Sequence, residues 1–161
     1  MGKIALDRAE KIAEAIVKRL APYCMKIEVA GSIRRRKPQV RDIDIVLIPS
    51  DPWNLHQEIL SLCQPFAPKA SGSKIMRIQV MSTQVDIYFA DEATWATLLL
   101  IRTGSAENNI RLASLAKKKG WHLAASGDGL FNELGERIAG DSERSIFEAL
   151  GLKYQEPEDR G

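Results

Sequence analysis

Three aspartates in two β-branched segments are the residues whose types and spacing best fit chemistry. Asp42 and Asp44 lie two residues apart in the segment DIDIVLI, so a strand there turns both carboxylates to one face, about 6.5–7 Å apart along the backbone. Asp86 lies in a second such segment, QVDI, and neighbouring strands would bring the three acids together. Their mutual repulsion favours a bound cation, and hard oxygen ligands suit Mg²⁺ shared with a phosphate. The alternative is an ordinary half-buried strand edge, where acidic and apolar residues also alternate.

A candidate phosphate-binding segment lies just upstream of these acids. Gly31 and Ser32 follow a predicted strand and can open a short helix, where glycine allows close approach and a helix N-terminus favours phosphate. Arg34 and Arg35 can add charge-assisted hydrogen bonds to phosphate oxygens. They begin a basic block with five positive charges in residues 34–41, which is either a polyanion-binding surface or a solvated turn. Together with the acids, this segment predicts a nucleoside-triphosphate site.

Composition narrows the class of protein. The 161 residues are 45% hydrophobic and 27% charged, which excludes disordered, collagenous and coiled-coil chains. Two cysteines are too few for a disulfide framework or a zinc site. The longest apolar stretch, 95–101, is far shorter than a membrane span needs, and residues 1–14 are too charged for a signal peptide. We therefore expect a cytoplasmic protein, nucleoid-associated if prokaryotic, with no membrane partner.

Hydrophobic periodicity predicts the elements that must position these residues. Helices are predicted over 5–20, 52–62, 92–101, 106–119 and 142–150. Strands are predicted over 26–30, 42–48, 74–80 and 84–89, with short β pieces at 121–124 and 130–131. We expect Trp53 to fill the core and the polar tail 155–161 to be loose. A turn near Gly104 divides the chain into a lobe over 1–103 and a smaller α+β lobe over 104–161.

A set of motifs spread over nearly the whole chain carries a resemblance to a known family. Gly31-Ser32, nine residues, then Asp42-Ile43-Asp44-Ile45 resembles the signature of the nucleotidyltransferase superfamily. The further segments that narrow the resemblance are Ala30–Lys37, Gln84–Ile87, Thr103–Arg111, 135–140 and 145–160. Together they resemble the family X DNA polymerases, the DNA polymerase beta group. The resemblance implies an α+β fold, with a nucleotidyltransferase-type mixed β-sheet palm carrying helices, followed by a small α+β thumb.

The resemblance also implies roles for individual residues. Asp42, Asp44 and Asp86 would be catalytic and would bind two Mg²⁺ ions, for which Mn²⁺ can substitute, with Asp86 nearest the primer 3′ hydroxyl. That hydroxyl would attack the α-phosphate of a dNTP and release pyrophosphate. The residues that would bind the nucleotide are Gly31, Ser32, Arg35, Thr103, Gly104 and Asn109. Arg111 would bind the template strand of a DNA primer–template.

Two departures from the family pattern bear on function. Ile101 and Arg102 stand where the family usually has two aromatics that screen the sugar, and Arg41 stands where a glycine commonly precedes the first metal-binding aspartate. The resemblance extends to palm and thumb only, which implies a minimal, monomeric polymerase that fills short gaps in DNA repair. Such a protein would bind DNA weakly, acting distributively or with repair partner proteins. Two alternatives stay open: a template-independent or ribonucleotide-tolerant nucleotidyltransferase acting on DNA or RNA ends or another acceptor, and a non-catalytic nucleic-acid-binding protein.

Overall fold

The computed structural model of the protein describes residues 2–64 and 66–161. The strands are β1 (Ile4–Ala5), β2 (Cys24–Val29), β3 (Gln39–Val40), β4 (Asp42–Pro49), β5 (Ala70–Ser71), β6 (Ile75–Val80), β7 (Thr83–Phe89), β8 (His122–Ala124), β9 (Gly129–Phe131) and β10 (Arg137–Ala139). The helices are α1 (Leu6–Leu20), α2 (Gly31–Arg34), α3 (Pro52–Cys63), α4 (Trp95–Thr103), α5 (Ala106–Lys118) and α6 (Glu143–Ala149), with 3₁₀ turns at Ala21–Tyr23 and Pro157–Asp159.

The larger sheet has the strand order β2-β4-β7-β6-β5 and is mixed, because β4 and β7 run parallel while their other pairings are antiparallel. Alternation along β4 divides its side chains between two faces. Ile43 and Ile45 pack with α1 and α3, whereas Val46 packs with Leu98 of α4. Helices therefore cover both faces of the sheet, and the even-numbered positions of β4, including both its aspartates, face the side of α4.

A second, smaller unit follows α4. The strand order β10-β9-β8 forms an antiparallel sheet, and its core includes Leu112 of α5 and Phe147 of α6. Helix α4 contributes to both cores, since Leu99 packs on the larger sheet and Leu100 packs with Phe147. The mixed sheet followed by a small helix-and-sheet unit confirms the predicted α+β class. The division of the chain after residue 103 stays a prediction.

The predicted helices and strands all have counterparts, and the connection after β6 is a two-residue turn. Val80 pairs with Thr83, which leaves Met81 and Ser82 with positive φ, as in the tight turns of hairpins. The short strands β1, β3 and β5 escaped prediction because two residues carry too little periodicity. In the described part of the chain, no helix has the length and apolarity needed to cross a membrane.

Two expectations about burial are wrong. Trp53 is 73% exposed, because the buried face of α3 is formed by Leu55, Ile59 and Cys63. The C-terminal tail is not loose: Pro157 is buried and Arg160 is only 2% exposed. Composition suggested a solvated tail, but a buried arginine fixes it to the body of the protein.

Candidate active site

The pairing of β4 with β7 brings the three aspartates together. Asp44 is directly opposite Asp86 in the parallel register, and Asp42 is opposite Gln84. The three carboxylates occupy positions of the same parity in that register, so they point to one face of the sheet. The β-branched segments that predicted both strands thus place the acids on one surface, as the spacing indicated.

The acids differ in how their charge is compensated. Asp86 is buried and accepts hydrogen bonds from Arg77 Nε at 2.7 Å and from Gln84 Nε2 at 3.4 Å. Asp44 has no such partner among the described residues. Burial, then the charges of Asp86 and Asp42, raise the pKa of Asp44 to about 7, although Arg102 and Arg35 act in the opposite direction. Asp44 therefore has no hydrogen-bond donor among the described residues and is offset only by the charges of Arg102 and Arg35.

These carboxylates fit a divalent cation in chemistry but are not assembled around one. No three His, Cys, Asp or Glu side chains are grouped to hold a metal ion within residues 2–64 and 66–161. Asp86 is engaged by Arg77, a side chain that is 40% exposed and free to turn away. Hard oxygen donors and an uncompensated charge on Asp44 are what Mg²⁺ requires. Asp42 and Asp44 thus offer two carboxylates to a cation, and Asp86 would have to release Arg77 to join them.

Helix α2 packs its first residue directly against these acids. Gly31 has a φ of +61°, and a Cβ at this position would collide with the Asp44 carboxylate oxygen. The backbone is held there by Ala30, whose N–H donates to the Asp44 carbonyl at 2.8 Å. Glycine is required because the chain turns in the left-handed region while touching another side chain. Ser32 follows at the same surface, so the predicted Gly-Ser segment lies beside the acids.

The two adjacent arginines of this segment have different surroundings. Arg35 donates from Nη1 to the Thr103 carbonyl at 2.6 Å, and its buried Nε has no hydrogen-bond partner among the described residues. Burial lowers the pKa of Arg35, an effect that nearby Asp44 partly offsets. An unpartnered buried donor of this kind is suited to an anionic ligand.

Arg34 does not face the same ligand, which corrects the expectation that both arginines bind phosphate. It makes two hydrogen bonds to Glu143, at 2.7 and 2.8 Å, and a third to Thr103 Oγ1 at 2.8 Å. Arg160, whose side chain is fully buried, donates to the same carboxylate at 2.7 Å. Arg34 therefore connects the larger unit to α6 and to the C-terminal tail.

An open cleft of about 340 Å³ joins these features, and we call it the nucleotide cleft. Its lining residues are Gly31, Ser32, Arg35, Arg41, Asp42, Asp44, Tyr88, Ile101, Arg102, Thr103, Gly104, Ala106 and Asn109. The six predicted nucleotide-binding residues are all among them, whereas Asp86 is not. Tyr88 was missed, although it stands two residues after Asp86 on the same strand face. The Arg102 guanidinium lies 4.2 Å from the Tyr88 ring centroid.

Asn109 and Arg111, both on α5, differ in position. Asn109 lines the nucleotide cleft, where its Nδ2 donates to the Ile101 carbonyl at 2.8 Å. Its Oδ1 is buried and has no partner in the described part of the chain, so it can accept a hydrogen bond from a ligand. Arg111 lies outside the cleft and donates to Asn108 and Gln155. The structure thus separates the residue expected near the base from the residue expected near the template.

Three comparisons with known proteins bear on the family and the fold. Residues 98–161 match the family model described as DNA polymerase beta thumb. Over 98% of its length, the chain is 29% identical to the DNA polymerase/3′-5′ exonuclease PolX of Bacillus subtilis (strain 168), and it spans 28% of that relative. The crystal structure of Leishmania infantum polymerase beta, in a ternary P/T complex, matches with a TM-score of 0.83. That match has 23% identity and covers 99% of this chain and 77% of the other, a likeness that shows the fold.

The sequence motifs, the thumb match and the polymerase beta fold converge on one assignment. The motifs span the larger unit, and the matched thumb model covers residues 98–161, which include the smaller unit. Residues 98–161 thus match the polymerase beta thumb model, and the chain as a whole is similar to family X of the DNA polymerases.

Proposed function

We propose that this protein transfers a nucleoside monophosphate from a dNTP to the 3′ hydroxyl of a DNA primer, with release of pyrophosphate. One observation carries the proposal: Asp42 and Asp44 line the same cleft as Arg35, Asp44 has no hydrogen-bond donor among the described residues, and the buried Arg35 Nε has no acceptor among them. Acids facing a phosphate-binding surface repel their own ligand unless divalent cations lie between them. A pure nucleic-acid-binding protein would gain nothing from that arrangement.

The residues of the chain would act mainly by positioning the reactants. Gly31 and Ser32 would let the backbone approach the β- and γ-phosphates, and Arg35 would donate from Nε to their oxygens. Thr103 and Gly104 would lie along the sugar. Asn109 would accept a hydrogen bond at the nascent base pair through Oδ1, while Arg111 would contact the template strand.

Asp42, Asp44 and Asp86 would hold two Mg²⁺ ions, or Mn²⁺ in their place. When bound, such ions neutralise the charge that develops on the transferring phosphoryl group and on the leaving pyrophosphate. Asp86 would leave Arg77 and lie nearest the acceptor hydroxyl, the role that the family resemblance implies. The energetic contribution of the protein is therefore alignment, which converts a reaction of two substrates into one within a single complex.

A second candidate function is ribonucleotide-tolerant transfer, favoured by the wall of the nucleotide cleft at residues 101–102. Ile101 and Arg102 line the cleft where the family usually has aromatics, and Arg102 turns onto Tyr88. An aliphatic side chain and a flexible cation screen a 2′ hydroxyl less closely than two rings do. We therefore expect weaker discrimination between dNTPs and NTPs than in relatives with those aromatics.

The short-gap repair role, the monomeric state, the cytoplasmic or nucleoid location and any repair partner proteins are parts of the same proposal. The match to a bacterial PolX supports the cytoplasmic or nucleoid location. Preference for a gapped over a single-stranded primer would support the repair role. Gel filtration at working concentration would test the monomeric state.

The proposal is tested by primer extension. Labelled nicked, gapped and single-stranded primers are incubated with each dNTP and NTP separately, first with Mg²⁺ and then with Mn²⁺. Asp42→Ala and Asp86→Ala should abolish extension, and the exposed thumb variant Asp128→Ala is the matched control. Wild-type turnover in either of the first two variants would refute the mechanism. Extension that ignores the template sequence would favour the template-independent alternative.

A further inference from the structure

Strand β2 leaves one edge of the larger sheet open. It is the outermost strand on its side, and within the described residues it pairs only with β4. Met25, Lys26 and Glu28 of this strand are exposed. An open strand edge offers unpaired backbone groups to another chain, which is why proteins usually cover such edges or keep them short. The backbone groups that β2 offers therefore indicate what can bind there.

The pairing of β2 with β4 determines which of its backbone groups are free. In an antiparallel pair, residues that exchange both hydrogen bonds alternate with residues that exchange none. Ala30 donates its backbone N–H to the Asp44 carbonyl at 2.8 Å. Glu28 lies two residues earlier in an unbroken register, so it also exchanges hydrogen bonds with β4, whereas Ile27 and Val29 do not. The N–H and C=O groups of Ile27 and Val29 therefore point away from β4, and no backbone hydrogen bond joins them to another described residue.

A mostly apolar groove of about 470 Å³ lies beside this free edge, and we call it the edge groove. Its lining residues are Glu14, Val17, Lys18, Ile27, Glu28, Val29, Ile33, Arg34 and Arg36. Ile27 and Val29 turn their side chains toward α1, because they pack with the same core as Ile16. A strand added beside β2 would turn every second side chain to that face and into the groove. The edge groove shares no residue with the nucleotide cleft, so an occupant would leave that cleft open.

The charges of the edge groove indicate the chemistry of its occupant. Both of its arginines are already paired with carboxylates outside the groove. Of the other charged lining residues, Glu14 and Glu28 are acids and Lys18 is a base. None of these three forms an ion pair in the described part of the chain. The excess of acid favours a basic segment and disfavours the phosphate backbone of a nucleic acid.

We propose that the edge groove binds an extended, basic segment of a partner protein, which adds an antiparallel strand to β2. The N–H and C=O groups of the segment would bond to Ile27 and Val29, and its apolar side chains, at alternate positions, would lie between β2 and α1. A lysine or arginine on its other face would lie across from Glu28, since oppositely charged cross-strand neighbours attract. A second copy of this chain fits less well, because the bulge at Met25 shortens the regular part of β2 and the copy brings the same excess of acid. This inference does not depend on the proposed function.

Amide hydrogen exchange, measured by NMR with a short capped peptide of alternating valine and lysine, tests the inference. In the free protein, the Ile27 and Val29 amides should exchange fast and the Glu28 amide slowly. Saturating peptide should slow exchange at Ile27 and Val29 by about tenfold or more. Glu28→Lys should weaken peptide binding about 5-fold, and Glu148→Lys, an exposed change on α6, is the matched control that should leave binding unchanged. Unchanged exchange at Ile27 and Val29 in saturating peptide would overturn the inference.

The strand geometry is tested with N-methylated forms of the same peptide. In an antiparallel strand with its valines in the groove, the valine N–H groups face β2 and the lysine N–H groups face away. N-methylation of the valines should therefore abolish binding, and N-methylation of the lysines should leave it unchanged; any other pattern would overturn the assignment.

The groove itself is tested by two polar substitutions on α1. Val17→Asn, in the groove, should weaken peptide binding, whereas Ala15→Asn, exposed on the same helix, should not. Slower exchange at Ile27 and Val29 that appears with rising protein concentration alone would identify a second copy as the occupant and overturn the inference. The same protection by single-stranded DNA and not by the peptide would also overturn it. Thermal melting verifies that each variant is folded, and none of these measurements requires nucleotide transfer.

Discussion

Charged side chains are wholly or partly buried in two regions of this protein, and the two regions treat them in opposite ways. At the edge of the larger sheet, Asp44 lies opposite Asp86 with no hydrogen-bond donor of its own in the described structure, and its pKa is raised to about 7. At the junction with α6, Glu143 accepts hydrogen bonds from both Arg34 and Arg160. The first region leaves a charge uncompensated, whereas the second neutralises one carboxylate with two cations.

This difference in charge compensation distinguishes a region that binds a ligand from a region that holds the fold together. An uncompensated buried acid destabilises the folded chain by itself, so its presence is explained by a ligand that completes it. A fully bonded group such as Glu143 needs no ligand, and it fixes the smaller unit to the larger one. Arg160 adds to this by lying 5.2 and 5.4 Å from the ring centroids of Phe147 and Tyr154. Substitutions among the aspartates should therefore change activity, and substitutions at Glu143 should change stability.

The largest effect is expected for Asp44→Asn. Loss of a ligand to cations that provide several kcal/mol of charge stabilisation should lower the rate of nucleotide addition about 10³-fold or more. The same change removes repulsion toward Asp86, so the melting temperature should stay equal to that of the wild type or rise. Single-turnover extension and thermal melting measure the two effects. Asp128→Asn on the exposed loop of the smaller unit is the control for both. A fall in both rate and melting temperature would show that Asp44 stabilises the fold. The contrast between the aspartates at the sheet edge and the Glu143 junction would then be wrong.

The second-largest effect is expected for Glu143→Gln, at the junction between the two units, and it is a loss of stability. Glu143→Gln removes the charge that Arg34 and Arg160 share, and breaking a buried pair from one side costs about 3–5 kcal/mol in the free energy of unfolding. Glu58→Gln is the matched control, because Glu58 pairs with the half-exposed Arg19 and should contribute at most about 1 kcal/mol. Urea denaturation measures both values. Equal values for the two variants would mean that the junction does not depend on its buried charge.

The sequence predicted the three aspartates at the edge of the larger sheet, which we call the acidic edge, because the patterns that indicate them are local. Alternation of Asp42 and Asp44 with isoleucines indicated a strand with one polar face, and the same alternation around Asp86 indicated another. Both β-branched segments form strands. Pairing these two strands with each other is enough to bring the three aspartates together. Gly31 could also be anticipated, since a glycine before a short helix suggests close backbone approach.

The junction could not be predicted, because its contacts are distant in sequence. Arg34 and Arg35 are identical in type and adjacent, and only the position of Glu143, 109 residues later, decides that the first is structural. Arg160 lies in a polar tail whose composition indicated solvation, yet its guanidinium is held by Glu143 and the Gln155 carbonyl. Local patterns thus predicted the helices, the strands and the three aspartates. They did not predict the ion pairs between distant parts of the chain.

The smallest effect is the pH dependence of the junction. Burial alone would raise the pKa of Glu143, but hydrogen bonds and charge from Arg34, then from Arg160, outweigh burial and hold the pKa of Glu143 below its ordinary value. A carboxyl with a lowered pKa in the folded state stabilises that state above the unfolded pKa, near 4.3. That stabilisation is lost as the pH falls through the lowered folded value.

The difference in free energy of unfolding between the wild type and Glu143→Gln should therefore be constant above about pH 5 and shrink below about pH 4. Other titrating groups are common to both proteins, so their contributions largely cancel in this difference. Urea denaturation at closely spaced pH values from neutral to acidic measures it. A difference that instead grew toward low pH would mean that Glu143 is protonated in the folded protein. Arg34 and Arg160 would then be uncompensated at the junction, and the contrast with the acidic edge would disappear.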